Sequence, residues 1–283
     1  MRFERVQTYD ERLQGYLALF QACFPKANQY SLDYLRWMYR DNPEGTAFGH
    51  DAIVGDQVVA HFVSLPAKVM LDGQTRKSLL ILNVATHPEH QRKGLFAGLA
   101  NRTRQAAAQE GFDVLFGVAN ALTIPGYREK LGYQDVGGLD ARIGVGRVPN
   151  IDWPAARSRA RFHRVWTMES LRWRLRNPAN PVACWLYPNG VAAFEAATAY
   201  PFIRVYAEMA EGLSMTERAP GHFAAHVFVG AVPPEAQKTG LSMSIPERLR
   251  PSPLRLIFLD LRKPENKIRQ EDVLFSFLDF DAF

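Results

Sequence analysis

The stretch Leu82-Asn83-Val84-Ala85-Thr86-His87-Pro88-Glu89-His90-Gln91-Arg92-Lys93-Gly94-Leu95-Phe96-Ala97-Gly98-Leu99 decides how this chain reads. The nearly unbroken apolar run from Ser78 to Thr86 predicts a central strand buried on both faces. His87 to His90, with its proline, is a turn. Gln91, Arg92 and Lys93 then form a short basic loop, and Gly94 opens a helix that runs to Gln109. The first turn of any helix leaves backbone N–H groups without internal partners, and its dipole favours an anion there. Gly94 has no side chain to keep a phosphate away from the backbone. Elementary physics therefore predicts a phosphate or pyrophosphate site between Gln91 and Ala97.

Upstream, Leu13, Leu17, Phe20 and Phe24 recur at helical steps, so residues 10–24 read as an amphipathic helix with Asp10 as its cap and Pro25 as its stop. A second helix, capped by Ser31, is expected over residues 32–40. Strands follow at 52–54, 57–65 and 67–71, the first two joined as a hairpin through Gly55-Asp56. Downstream come a strand at 114–118, a short helix from Ile124 to Leu131 closed by Gly132, and one or two strands from Tyr133 to Gly144. Helices and strands alternate around one sheet, which predicts a mixed α/β layer.

The segment from Thr86 to Phe96 resembles the acyl-CoA-binding motif of GNAT acetyltransferases: Gln or Arg, two residues, Gly, one residue, then Gly or Ala, after a central strand. Gln91 and Gly94 match the first two positions, and Phe96 stands where the short form has a small residue. Phe116 to Asn120 and Tyr127-Arg128-Glu129-Lys130-Leu131-Gly132-Tyr133 resemble the later landmarks of that family, in the same order. The resemblance implies an α/β GNAT fold with a mixed, mostly antiparallel, splayed sheet. It implies acetyl-CoA as acyl donor and a small amine as acceptor. Val84, Ala85 and Thr86 would pair with the pantetheine arm as an added strand. Backbone N–H groups from Arg92 through Lys93, Gly94, Leu95 and Phe96 to Ala97 would cradle the pyrophosphate, and Asn120 would reach the pantetheine or thioester. The branch with Phe in that position often has two-part chains, some of them in amino-sugar pathways, so an amino sugar or its nucleotide-linked form is the leading acceptor.

Direct acyl transfer needs both reactants positioned, donors for an oxyanion and a base for the ammonium proton. Many family members place a Tyr four residues before the Gly of the last motif. Here that position is Arg128, and Tyr127 beside it is the candidate acid. Many also carry a carboxylate on or beside the central strand, where this chain offers Asn83. His61 is the leading base because imidazole titrates near neutral pH. His87, and a tail containing Asp279, Asp281 and the terminal carboxylate, are further candidates. An acyl-CoA-binding module without turnover is the alternative to an N-acetyltransferase, since both family acid and family carboxylate are missing. A peptide, aminoacyl or hydroxyl acyltransferase on the same fold is a third reading.

The chain has 283 residues, 47% of them hydrophobic and 22% charged, with a net charge of +5, which is room for two ordinary soluble domains. The positive charges are scattered rather than gathered into a basic, aromatic-studded stripe, which speaks against nucleic acid. No run approaches the ~20 apolar residues of a membrane span, and the opening residues do not read as a signal peptide, so a cytoplasmic location is expected. Cys23 and Cys184, far apart, make neither a disulfide framework nor a metal cluster, and are expected to be buried thiols. Pro149 and Pro154 mark a junction between a GNAT domain over 1–148 and a second part over 149–283. Leu35 to Pro43 resembles Leu171 to Pro178, each ending in Asn-Pro. The second part is therefore expected to be a degenerate GNAT-like copy that lacks the glycine turn and helps to form an acceptor cleft. Trp166, Trp173, Trp185, Tyr187 and Tyr200 are its aromatic residues, for core or for a sugar pocket.

Overall fold

Alternation along one long strand sets the layers of the first unit. In the computed structural model, which describes residues 1–210, 224–238, 240–246, 248, 250 and 253–280, neighbouring residues of that strand point to opposite faces. His61 meets the rings of Tyr16 and Phe20 on one face, with centroids 4.2 and 5.7 Å away. Phe62 meets Phe96, 6.0 Å away, on the other. The chain forms two compact units: Met1–Val69, Thr75–Asp135 and Leu256–Lys267 make the first, and Met70–Gln74, Val136–Arg255 and Ile268–Phe283 the second.

The first unit comprises β1 (Arg2–Arg5), α1 (Asp10–Cys23), α2 (Leu32–Leu35), β2 (Phe48–Val54), β3 (Gln57–Leu71), β4 (Gln74–Thr86), α3 (Leu95–Gln109) and β5 (Val114–Ala119), with β6 (Gln134–Gly138) beginning at its end. β1, β2, β3, β4 and β5 lie side by side in that order, and the strand Arg255–Asp260, far away in sequence, lies next to β5. β1–β2 and β2–β3 are antiparallel, while β4 and β5 are parallel. Tyr16, Leu19 and Phe20 of α1 are buried, as are Leu95, Leu99 and Ala100 of α3. Fully burying a side chain such as Phe62 or Leu99 contributes about 1.5–3 kcal/mol.

Several local expectations are corrected. The N-cap of α1 is Tyr9, and Asp10 lies inside the first turn, where its carboxylate pairs with Arg36. Residues 57–65 and 67–71 are a single strand through Pro66: the β2 ladder ends at Phe48–Ser64, so the missing proline N–H costs no bond to β2. The helix that Ser31 caps holds α geometry only to Leu35, and Arg36–Arg40 is a π-helical turn. The helix expected after Ile124 is likewise a π turn, Gly126–Lys130. Cys23, at the end of α1, is only half-buried, whereas Cys184 is buried.

The second unit contains β7 (Asp140–Val145), β8 (Asn150–Ile151), α4 (Trp153–Arg159), β9 (Phe162–Val165), α5 (Met168–Leu175), β10 (Ala183–Leu186), β11 (Ala192–Ala197), β12 (Ile203–Met209) and β13 (Ala225–Ala231). β10, β11 and β12 form an antiparallel meander, and β13 runs parallel to β12 and antiparallel to β7. Position 148, the expected boundary, falls inside this unit's 136–255 segment. In each unit a run of antiparallel strands ends in a parallel pair, β4–β5 in the first and β12–β13 in the second. The turn that leads into each meander is also the same: Asn42 Oδ1 accepts from Glu44 N at 3.2 Å, and Asn177 Oδ1 accepts from Ala179 N at 2.9 Å, and both asparagines are buried.

Candidate active site at the ends of the parallel strands

The parallel pair β4–β5 ends its ladder at Ile81–Gly117, although β4 continues to Thr86 and β5 to Ala119. At that last rung a Cβ on Gly117 would stand 2.8 Å from the Ile81 carbonyl oxygen. Two residues further, Asn83 has φ +46°, a left-handed conformation inside a strand. Val84, Ala85 and Thr86 follow, with Val84 and Thr86 partly exposed and Ala85 buried. The C-terminal ends of parallel strands, past the last shared rung, are where α/β sheets place ligands.

The loop after β4 is held by its own polar groups. His87 Nδ1 accepts from Glu89 N at 3.4 Å, and Gln91 Nε2 donates to the Thr86 carbonyl at 3.3 Å. His87 is therefore engaged as a turn-former. Gln91, Arg92, Lys93 and Gly94 are all exposed. Arg92 and Gly94 are both left-handed, with φ of 60° and 75°. Gly94 is the N-cap of α3 and supplies no side-chain cap, and the first turn carries no acidic residue. The N–H groups of Leu95, Phe96 and Ala97 precede the first helical bond, Gly98 N to Gly94 O at 3.0 Å. A Cβ built on Gly94 would meet nothing within 4 Å, so the space over this helix end is open. Uncapped donors, flanking basic side chains and open space suit a pyrophosphate; the residues fit the polyphosphate of a coenzyme A.

The remaining expected residues are placed as follows. Asn120 immediately follows β5, and its Oδ1 accepts from Leu122 N and Thr123 N, both at 3.1 Å, so its carboxamide shapes the next turn. Tyr127 is buried, edge-on to Phe96 at 5.1 Å and to Tyr133 at 5.3 Å. Burial pushes its hydroxyl well above the usual phenol range. Gly126 beside it allows the Phe96 ring to approach, since a Cβ there would lie 2.9 Å from that ring. Phe96, the departure from the short family pattern, is thus the side chain that joins the start of α3 to the Tyr127 turn. Arg128 is exposed and pairs with Glu129 at 2.8 Å.

His61 is separate from these groups. Its side chain is fully buried, with Nδ1 2.6 Å from Asp51 Oδ1 and Nε2 3.1 Å from the Tyr39 hydroxyl. Asp51 and Tyr39 were not singled out by sequence reasoning, although both belong to elements it located. Asp279 lies buried in the second unit, where Ser276 N and Trp166 Nε1 donate to its carboxylate at 2.7 and 3.0 Å. Asp281 and the terminal carboxylate lie outside the described residues. Trp166 and Trp185 are core residues, Trp173 and Tyr187 are partly buried and Tyr200 is exposed. Trp153, Trp166, Glu208 and Asp279 line a cavity of about 60 Å³ in the second unit. No group of three or more His, Cys, Asp or Glu suited to a metal occurs among the described residues. No helix among them is long and apolar enough to cross a membrane.

Residues 5–135 match the family model described as Acetyltransferase (GNAT) domain, a little under half of the chain. No curated protein matches. Among solved structures, the chain is similar to a conserved protein of unknown function from Enterococcus faecalis described as a probable N-acyltransferase, with 12% identity, a TM-score of 0.58, and 92% of this chain and 72% of that one covered. It is also similar to a GCN5-related N-acetyltransferase from Anabaena variabilis, with 12% identity, a TM-score of 0.62, and 92% and 73% covered. At these identities the likeness is one of fold. The fold is the α/β GNAT fold, and residues 5–135 match a GNAT acetyltransferase domain.

Proposed function

We propose that the first unit binds acetyl-CoA and passes its acetyl group to the nitrogen of a small amine. The observation that carries this reading is the exposed, uncapped, left-handed Gly94 at the head of α3, beside Arg92 and Lys93 and past the last β4–β5 rung. In this reading, backbone donors of residues 92–97 hold the pyrophosphate, and the backbone of Val84 to Thr86 aligns the pantetheine arm. Asn120 stands at the neighbouring strand end. The bound donor supplies an activated acyl group; the chain's own residues orient it and keep the phosphates neutralised. An amino sugar is the proposed acceptor on the strength of motif resemblance alone. The second unit is proposed to be a degenerate copy of the first, supported by the shared meander-plus-parallel-strand order and the paired Asn-Pro turns.

A second reading, binding without turnover, is favoured by the packing of Tyr127 between Phe96 and Tyr133 and by Arg128 in the place of the family's Tyr. Thermal unfolding with and without excess acetyl-CoA, in the parent and in Gly94→Glu, tests the shared claim. Ligand at 100 times its dissociation constant stabilises a fold by about 2.7 kcal/mol, a midpoint rise of several degrees at this size. Gly94→Glu lowers the ligand-free midpoint slightly, because a left-handed L-residue costs about 1–2 kcal/mol, and abolishes the rise. No rise in the parent at millimolar acetyl-CoA sinks the proposal. A rise without thiol release from acetyl-CoA, with glucosamine and a broad set of amines as acceptors, selects binding without turnover.

A further inference from the structure

The first unit contains a buried hydrogen-bonded chain that ends at the functional end of β4. Tyr16 donates to Asp51 Oδ2 at 2.6 Å, and Asp51 Oδ1 lies 2.6 Å from His61 Nδ1. His61 Nε2 lies 3.1 Å from the Tyr39 hydroxyl. Asn83 Nδ2 donates to that hydroxyl at 3.3 Å, and Tyr30 donates to Asn83 Oδ1 at 3.3 Å. Tyr16, Tyr39, Asp51 and His61 are 0% exposed, whereas Tyr30 and Asn83 are partly exposed. The chain therefore runs from the core to the surface at Asn83, directly before Val84 to Thr86.

The donors and acceptors define the protonation state. Burial, and next the Asp51 carboxylate, push the Tyr16 hydroxyl far above its ordinary range, so Tyr16 keeps its proton and donates it to Asp51. An ionised Asp51 accepts on both oxygens, which leaves the proton on His61 Nδ1. His61 Nε2 is then a lone pair that accepts from the Tyr39 hydroxyl. The other charged and titratable groups around the pair are Arg12 on α1, which attracts the Asp51 carboxylate, His50 on β2, and Tyr30 at the surface end. Burying an ionisable pair costs free energy that apolar side chains at positions 51 and 61 would not incur, which makes the pair a poor device for stability alone.

We infer that Asp51, His61 and Tyr39 form a proton relay, which accepts the excess proton of an ammonium-bearing acceptor held at Asn83; this rests on the acyl-transfer reading above. The ammonium displaces the 3.3 Å contact of Asn83 on the Tyr39 hydroxyl. One N–H proton passes to the Tyr39 oxygen while the Tyr39 proton passes to His61 Nε2. The products are a neutral amine with a free lone pair, an intact Tyr39 and an imidazolium paired with Asp51. One proton has moved and charge is conserved; the imidazolium later returns its proton to solvent by the reverse path. Tyr39 is the residue that touches the substrate, and His61 and Asp51 act through it. The relay stands in for the carboxylate that this strand lacks, Asn83 being uncharged.

The test compares glucosamine, an ammonium at neutral pH, with hydroxylamine, which is already neutral there, by thiol release from acetyl-CoA. Tyr39→Phe removes one oxygen and keeps the ring. It is expected to slow the glucosamine reaction at least tenfold at pH 7, to leave the KM for acetyl-CoA and the hydroxylamine rate unchanged, and to recover towards high pH. Asn83→Asp, which restores a surface carboxylate, is expected to rescue Tyr39→Phe. Equal losses with both acceptors, or no loss with either, overturn the relay, since a purely structural pair would treat the two acceptors alike. The ¹⁵N spectrum of histidine-labelled protein gives an answer without turnover: the relay requires a neutral His61 protonated on Nδ1 with or without acetyl-CoA, and a ring protonated on Nε2 overturns it. Should neither acceptor react with the parent, the acyl-transfer reading fails by itself, and the spectrum still decides the state of the relay.

Discussion

Gly117 carries no reactive group, yet it sets how close β4 and β5 come before they part. The atom a larger residue would strike is the Ile81 backbone carbonyl, 2.8 Å from its Cβ position, and a carbonyl in a ladder cannot swing aside as a flexible side chain would. Gly117→Ala should destabilise the protein by about 1–3 kcal/mol, read as a fall in the denaturation midpoint; an unchanged midpoint would mean that the last rung has slack. His50 is a second residue-scale case. Burial, followed by the positive charges of Arg5 and Arg102, pushes its imidazole down to about 4 from an ordinary value of 6.5, and its Nδ1 lies 3.0 Å from Thr103 Oγ1. The folded state therefore favours the neutral ring. Its contribution is complete above about pH 6.5 and is lost as pH falls towards 4. His50→Gln should flatten the melting temperature over that window; an unaltered slope would assign the pH dependence to other groups.

At the scale of elements, one irregularity decides which side chains meet. The β2–β3 hairpin closes with Val54 opposite Gln57 and Ile53 opposite Val58, a register that would put Ala60 opposite Asp51. A bulge between Ala52 and Ile53 shifts the pairing by one, and Asp51 faces His61 instead. The residue types were legible in the sequence, but the bulge was not, so His61 could be named while its partner could not. Helix ends were legible in part: Ser31 caps α2 as expected, whereas Tyr9 and not Asp10 caps α1. At α5, whose cap the sequence reading did not name, Thr167 Oγ1 accepts from Ser170 N at 3.1 Å, and Ser170 Oγ accepts from Thr167 N at 2.9 Å. Thr167→Ala should cost about 0.5–2 kcal/mol, measured by chemical denaturation, and Thr167→Asn should recover most of it.

At the scale of the molecule, each unit has its own buried cluster, one around Phe62, Leu99 and Leu115, the other around Phe194, Val205 and Phe277. The first unit is completed by Leu256–Lys267, where Leu261 N donates to the Asp113 carbonyl at 2.7 Å and Arg262 pairs with the Asp113 carboxylate. No periodicity signals that a strand from the far end of the chain belongs beside β5. Hydrogen exchange with saturating acetyl-CoA should slow amides from Asn83 to Gly98 and leave β11 and β12 unaltered. Protection that appears instead in the second unit would move the ligand out of the first.

The sequence by itself determined the elements around the loop 87–94, the α/β class and the position of Gly94, because turn chemistry, apolar period and helix-end donors are properties of neighbouring residues. It also brought out the two Asn-Pro turns as a pair, since each closes on its own backbone two residues later. Only the tertiary structure decided that Asp51 and Tyr39 enclose His61, that Phe96 reaches Tyr127, and that residues 256–267 finish the first sheet. Each of these joins residues from separate elements through register or packing, and a one-residue shift in pairing is invisible to local spacing while it reverses which face a side chain occupies.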